Sequence, residues 1–211
     1  MPVDPIAPLT LEGHHIRIEP LDPHHADALV AASAADPSLY QWSIVPLGPS
    51  AVDAYIRTAL AWRDAGTALP FVTLRKSDNT VIGSTRFWLI EKWDWPAGSL
   101  HFGKHVYDTC EIGYTWLTAS AIRTAANTEA KLLMLTHAFE TWNVNSVSLC
   151  TDQRNERSAA AIQRIGGKLD GILRAHRMAA DFTPRNTLRF SILASEWPDA
   201  KQTLQQRLLR I

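Results

Sequence analysis

The chain has 211 residues, 46% hydrophobic and 20% charged, with a formal net charge of zero. That length suits one domain and buries roughly 70% of the surface an unfolded chain exposes, so a core forms without disulfide or metal staples. Zero net charge offers no basic stripe for nucleic acid or an anionic membrane, and no run of about 18 apolar residues provides a transmembrane helix.

In chain order, Met-Pro-Val-Asp-Pro-Ile-Ala-Pro lacks the basic and apolar blocks of a signal peptide, so residues 1–10 are expected to be a flexible tail on a cytoplasmic protein. Residues 14–21 alternate, with Ile16 and Ile18 on one face and Arg17 and Glu19 on the other, which predicts a strand. Asp22-Pro23 opens a helix carrying Ala26, Leu29, Val30 and Ser33. Residues 39–49 hold prolines and a glycine and predict a loop; Ser50 is expected to cap a second helix, ended by Gly66. Residues 69–74 and 80–90 predict strands joined by the turn Ser77-Asp78-Asn79. Residues 94–107 form an irregular excursion rich in Trp, His, Gly and Pro.

A strand over 111–117 follows, then a helix over 127–142 with Ala130, Leu133, Met134, Ala138 and Phe139 on its apolar stripe. The rest reads as a strand over 146–151, a short helix over 155–165 ended by Gly166-Gly167, strands over 169–178 and 188–193, and a C-terminal helix over 196–211. Helices interleaved with strands indicate one α/β (α+β) domain spanning 1–211. Cys110 and Cys150 are too few and too far apart for a disulfide framework or a cysteine metal site, and read as reduced and buried.

Two strand–loop–helix units concentrate the chemistry. In the first, the strand 111–117 leads through a loop of small residues into the long helix, whose unpaired N–H groups and dipole suit a phosphate or diphosphate. Arg123 lies in that loop, where its guanidinium can reach the same anion. In the second, Asn155 follows a strand end and Ser158 lies three residues on, sharing a helix face. Open α/β sheets bind ligands beyond the carboxyl ends of such strands.

Glu-Ile-Gly-Tyr-Thr-Trp-Leu at 111–117, Asn-Thr-Glu-Ala-Lys at 127–131, His-Ala-Phe-Glu at 137–140 and Thr-Asp-x-x-Asn-x-Arg-Ser at 151–158 resemble the GNAT acetyltransferases of the ribosomal-protein N-terminal (RimJ/RimL) type. The resemblance implies a mixed, mostly antiparallel sheet of about seven strands, whose parallel central pair splays to grip the pantetheine arm of acetyl-CoA. It implies that the backbone of Trp116 and Leu117 holds the acyl end. Arg123, Thr124, Ala125, Ala126, Asn127 and Thr128 would cradle the diphosphate, Asn155 would bond the pantetheine, and Ser158 would approach the thiol. The family loop carries glycine where this chain has Ala125 and Ala126, a substitution costing about 1 kcal/mol or more if φ is positive there.

The implied reaction is direct attack of a primary amine, from a protein or peptide N-terminus, on the acetyl thioester. Glu111 is the candidate base, Ser158 the thiol partner and the Leu117 amide the oxyanion donor. A non-catalytic acyl-coenzyme A sensor of the same fold is the alternative. No metal is expected, and a homodimer is compatible with the resemblance. His14, His15, His24 and His25 lack metal-site spacing and read as surface residues. His137 reads as structural. His176 and Arg177, the tryptophans Trp88, Trp93 and Trp95, and His101 and His105 are secondary candidates for the acceptor side.

Overall fold

The computed structural model describes residues 7–210. Eight strands form one sheet in the order β1-β2-β3-β4-β5-β6-β8-β7. They are β1 (Leu11–Glu12), β2 (Ile16–Pro20), β3 (Ala68–Arg75), β4 (Val81–Glu91), β5 (Thr109–Leu117), β6 (Ser146–Asp152), β7 (Lys168–Met178) and β8 (Pro184–Leu193). The helices are α1 (Ala26–Ala34), α2 (Pro49–Asp64), α3 (Ala125–Thr136), α4 (Glu156–Arg164) and α5 (Trp197–Leu208). All the strand pairs are antiparallel except β5 with β6. The eighth strand beyond the expected seven is β1, two residues paired to β2 and too short to carry an alternation. The expected tail at 1–10 lies mostly outside the described residues, while Leu9 packs against the core.

The sheet separates two apolar clusters. On one face Ile16, Ile18, Phe71, Phe87 and Ile112 meet α3 and α5 through Met134, Leu135 and Leu204. On the other, Leu21, Val72, Leu74 and Trp116 meet α1 and α2 through Leu29, Val52 and Ile56. Phe71 and Val72 are neighbours in β3 yet lie in different clusters, as strand alternation requires. The half of the sheet beyond β5 has no helix of the α1–α2 layer in its cluster, so that face of β6, β8 and β7 lies open beside α2.

Two starts differ from expectation. Gly48, at φ 80, and not Ser50, holds the N-cap of α2, because Pro49 suits the first helical position. Thr124 caps α3, so the helix begins at Ala125 and not at Asn127. Its far end changes to a π-helical turn, His137–Thr141. In the first turns of the chain, Asp22 caps a 3-10 turn, Pro23–His25, that leads into α1.

The second turn of α3 is tied to β2 by one carboxylate. Glu129 is buried and accepts from the backbone N–H of His14 (2.7 Å), His15 (2.8 Å) and Ile16 (2.8 Å). Gly13 must be glycine for this, since a Cβ there would sit 2.3 Å from the carboxylate carbon. Removing the carboxylate leaves three donors, one of them fully buried, without a partner. Glu129→Ala should therefore cost about 2–4 kcal/mol in urea unfolding; a loss within experimental error would show that water replaces the carboxylate.

Candidate active site

β5 and β6 pair only over Thr109↔Ser146, Cys110↔Val147 and Glu111↔Ser148. β5 then runs on to Leu117 and β6 to Asp152 with no ladder between them. A bulge explains the parting. Against β4, the register passes from Ser84↔Trp116 to Arg86↔Gly113, so Thr85 faces both Tyr114 and Thr115. Tyr114 takes φ 51 to allow it. A bulge bends and twists its strand, and β5 turns away from β6 at this point. The facing edges leave backbone N–H and C=O groups without strand partners.

The loop after β5 ends at α3. Thr124 donates to the Ala121 carbonyl (2.7 Å) and accepts from the Ala126 N–H (3.2 Å). The N–H groups of Ala125 and Asn127 have no acceptor within the helix, whereas that of Thr128 is spent on the first helical bond. Thr128 therefore contributes at most its side chain. The positive φ falls on Arg123 (φ 63), which is exposed, while Ala125 and Ala126 are helical. The glycine-to-alanine departure thus carries no backbone strain.

At the second unit, Asn155 is buried and caps α4, its Oδ1 accepting from the Ser158 N–H at 3.0 Å. Its Nδ2 is left to donate to a ligand. Ser158 is half-buried on the first turn of α4, and its hydroxyl has no protein partner among the described residues. Trp116 is buried against the α1–α2 cluster, edge-on to Tyr40 at 5.8 Å, so its backbone and not its indole borders the gap.

Glu111 stands at the point of parting, 6% exposed, on the open face of the sheet. It shares a cavity of about 120 Å³ with Ser148, Cys150, His176, Arg177 and Arg189. Arg177 comes within 3.8 Å of its carboxylate and stacks 4.3 Å from the Trp88 ring. Burial lowers the His176 pKa, and Arg177 beside it adds to the effect. Burial, then the Glu111 charge and its hydrogen bond, push the Cys150 thiol up to about 12, and burial raises Cys110 as well. Neither cysteine is a thiolate near neutrality, which disqualifies both as nucleophiles.

His176, Arg177 and Trp88 thus gather around Glu111, but the other secondary candidates do not. Trp93 and Trp95 are held by Asp108, through a backbone N–H at 2.7 Å and an indole N–H at 2.6 Å. His101 stacks on Trp95 at 4.5 Å and His105 stacks on His101. His25 is not a surface residue: it is buried, and its ring nitrogens meet the Asp22 N–H and Glu19. Glu19, His24 and His25 offer ligand atoms within 4.8 Å of one another, but these atoms already bond to one another or to Asp22.

Two residues of interest escaped the sequence reading. Tyr40 reaches from the loop before α2 to donate to the Leu117 carbonyl at 3.3 Å. A tyrosine in a proline-containing loop carries no local signal of that reach. Lys131 is buried in α3, its Nζ donating to Thr115 Oγ1 at 2.9 Å. It could have been found as the lone charge within an apolar helix face.

The GNAT family accounts for this chain: its Acetyltransferase (GNAT) domain profile matches residues 15–168, and the chain belongs to it. Family members are acetyltransferase enzymes. Over 192 residues, 90% of this chain and 97% of the relative, it is 27% identical to a Bacillus subtilis (strain 168) protein named provisionally as ribosomal N-acetyltransferase YdaF. A GCN5-related N-acetyltransferase from Brucella melitensis is 26% identical, with a TM-score of 0.80 over 98% of this chain and 88% of that one. Mycobacterium smegmatis RimJ in complex with CoA-disulfide shares the fold, with a TM-score of 0.72 at 21% identity over 95% and 93% of the two chains. No helix among the described residues is long and apolar enough to cross a membrane.

Burial pulls Lys131 down to about 7. Below that pH both folded and unfolded states hold the proton, and the folded state bears the full desolvation cost. Between about pH 7 and about pH 10 only the unfolded state binds it, so stability rises with pH. Lys131→Met should therefore stabilise the chain most at about pH 6, with the gain shrinking toward about pH 10 in denaturant melts. A gain independent of pH would mean that Lys131 titrates normally.

Proposed function

We propose that this chain moves an acetyl group from acetyl-coenzyme A to a primary amine, at a protein or peptide N-terminus, by direct attack and without an acyl-enzyme. The parted β5–β6 pair carries the reading, because an amide-bearing arm satisfies its open edges as an added strand would. The thioester supplies the acyl group and a thiolate that leaves readily.

Each residue then has a task. The N–H groups of Ala125 and Asn127, with Arg123, Thr124, Ala126 and the Thr128 side chain around them, hold the diphosphate. Asn155 Nδ2 and the backbone of Trp116 and Leu117 hold the pantetheine and acyl end. Glu111 takes the proton from the amine, directly or through water. The Leu117 N–H faces the charge that develops on the acyl oxygen. The Ser158 hydroxyl meets the thiolate. A ribosomal acceptor fits the name of the Bacillus subtilis relative, a ribosomal N-acetyltransferase. The sensor alternative rested on Ala125 and Ala126, and their helical backbone removes its motive.

Calorimetry with acetyl-coenzyme A, paired with thiol release on a panel of N-terminal peptides, tests the reading. Binding and release are expected together; binding without release would favour the sensor. Glu111→Gln should lower kcat/KM by about 10²–10⁴-fold while coenzyme A still binds. Incubation with acetyl-coenzyme A and no acceptor should leave the intact mass of the chain unchanged. An acetyl adduct on either cysteine would contradict direct attack.

A further inference from the structure

The face of the sheet that carries Glu111 holds more positive charge than its acids balance. Arg177 and Arg185 are direct register partners on β7 and β8. Like charges so placed repel. The nearest acid to Arg177 is Glu111, at 3.8 Å, beyond a hydrogen bond. The Nε of Arg185 is buried without a partner. Asp152, the acid that faces Arg185 electrostatically, is already taken by Arg154 at 2.8 Å. Arg189 follows on the same face of β8, donating to Ser148 Oγ at 3.1 Å, with Asp170 only at 3.7 Å.

A second observation comes from β4. Arg86 and Trp88 oppose Gly113 and Glu111, so they face the same side as the Glu111 carboxylate. Arg86 is 1% exposed, and both its Nε and its Nη2 lack an acceptor. Its charge rests against the rings of Tyr114 (4.1 Å), Tyr55 (4.8 Å) and Trp62 (5.3 Å). The Trp88 indole N–H, beneath Arg177, is buried and unpartnered too. Buried donors without acceptors are rare in folded chains and point to an absent partner. Here Arg177 and the Trp88 indole lie beside the buried Glu111 carboxylate, while the second buried acid of this face, Asp152, is held by Arg154.

Building on the proposed acetyl transfer, we infer that the acceptor bears a carboxylate within a few bonds of its amine, and that Arg177, which lines the cavity with Glu111, receives it with the charge of its register partner Arg185 behind it, while Glu111 receives the amine. The 3.8 Å between Arg177 and Glu111 sets that short span. The cavity of about 120 Å³ holds about four waters at roughly 30 Å³ each, room for one small residue. Guanidinium groups pair with carboxylates through two parallel bonds, which fixes the orientation of the amine as well as its identity. The carboxylate has two chemical sources: an acidic first residue of a peptide, or the α-carboxylate of a free amino acid.

The test uses the full chain with saturating acetyl-coenzyme A and pairs of acceptors that differ only in the carboxylate. One pair is an Asp-initiated and an Asn-initiated peptide amide; the other is free serine and ethanolamine. Thiol release should favour the acidic member of at least one pair by tenfold or more in kcat/KM, and the pair that responds names the source. Arg177→Met, which keeps the contact with Trp88, and Arg185→Met should each bring that pair level. Calorimetric binding of the same compounds to the coenzyme A-loaded chain reads the anion site even if turnover is absent. Loss of turnover with retained discrimination would therefore sink the transfer reaction and leave the anion site standing. Equal use and equal binding within both pairs, or a preference that survives both substitutions, would overturn the inference.

Discussion

Inside a sheet, each strand normally gives its N–H and C=O groups to both neighbours, because a buried polar group without a partner costs free energy. Between β5 and β6 that exchange stops after Glu111 and Ser148, although both strands continue. The bulge at Tyr114 and Thr115 imposes the break on one side, and full antiparallel pairing of β6 with β8, out to Asp152↔Thr187, holds the other strand in place. One strand bends and its neighbour cannot follow. Everything assigned to the site lies along the resulting gap or at its two ends.

The gap is useful because rigid supports surround it. Glu129 fixes the start of α3 to the β2 backbone, and Asn155 fixes the start of α4. Gly83 permits β4 to lie close against the end of β5: a Cβ there would sit 2.1 Å from the Trp116 carbonyl oxygen. Tyr40 joins the loop before α2 to the Leu117 carbonyl, so both sheet faces contribute to the same corner. On the open face the uncompensated arginines give a directional field, positive toward β7 and β8, with Glu111 at its near edge. A desolvated arrangement of that kind suits recognition of an oppositely charged group more than it stabilises the fold.

Much of this was legible from local patterns. The alternation of Ile16 and Ile18 and the stripe of Met134 and Ala138 each follow from spacing within one element, and each appears as an element. The starts of α2 and α3 moved because Gly48-Pro49 and Thr124 compete with Ser50 and Asn127, and turn geometry decides between them. The charged cavity was beyond reach for a different reason. Whether Arg177 faces Arg185, or Cys150 faces Glu111, depends on strand register, and a slip of one residue turns every side chain to the other face. His25 shows the same limit: its Nε2 meets Glu19 on β2, a contact its immediate neighbours in sequence do not signal.

Amide hydrogen exchange, with and without coenzyme A, tests the parted strands most directly. The account predicts that coenzyme A slows exchange for residues 112–117 of β5 and 149–152 of β6, along with 125–127 at the start of α3, while β7 and β8 change little. Protection of those β5 and β6 amides in the free chain equal to that of β3, with no change on adding coenzyme A, would contradict it.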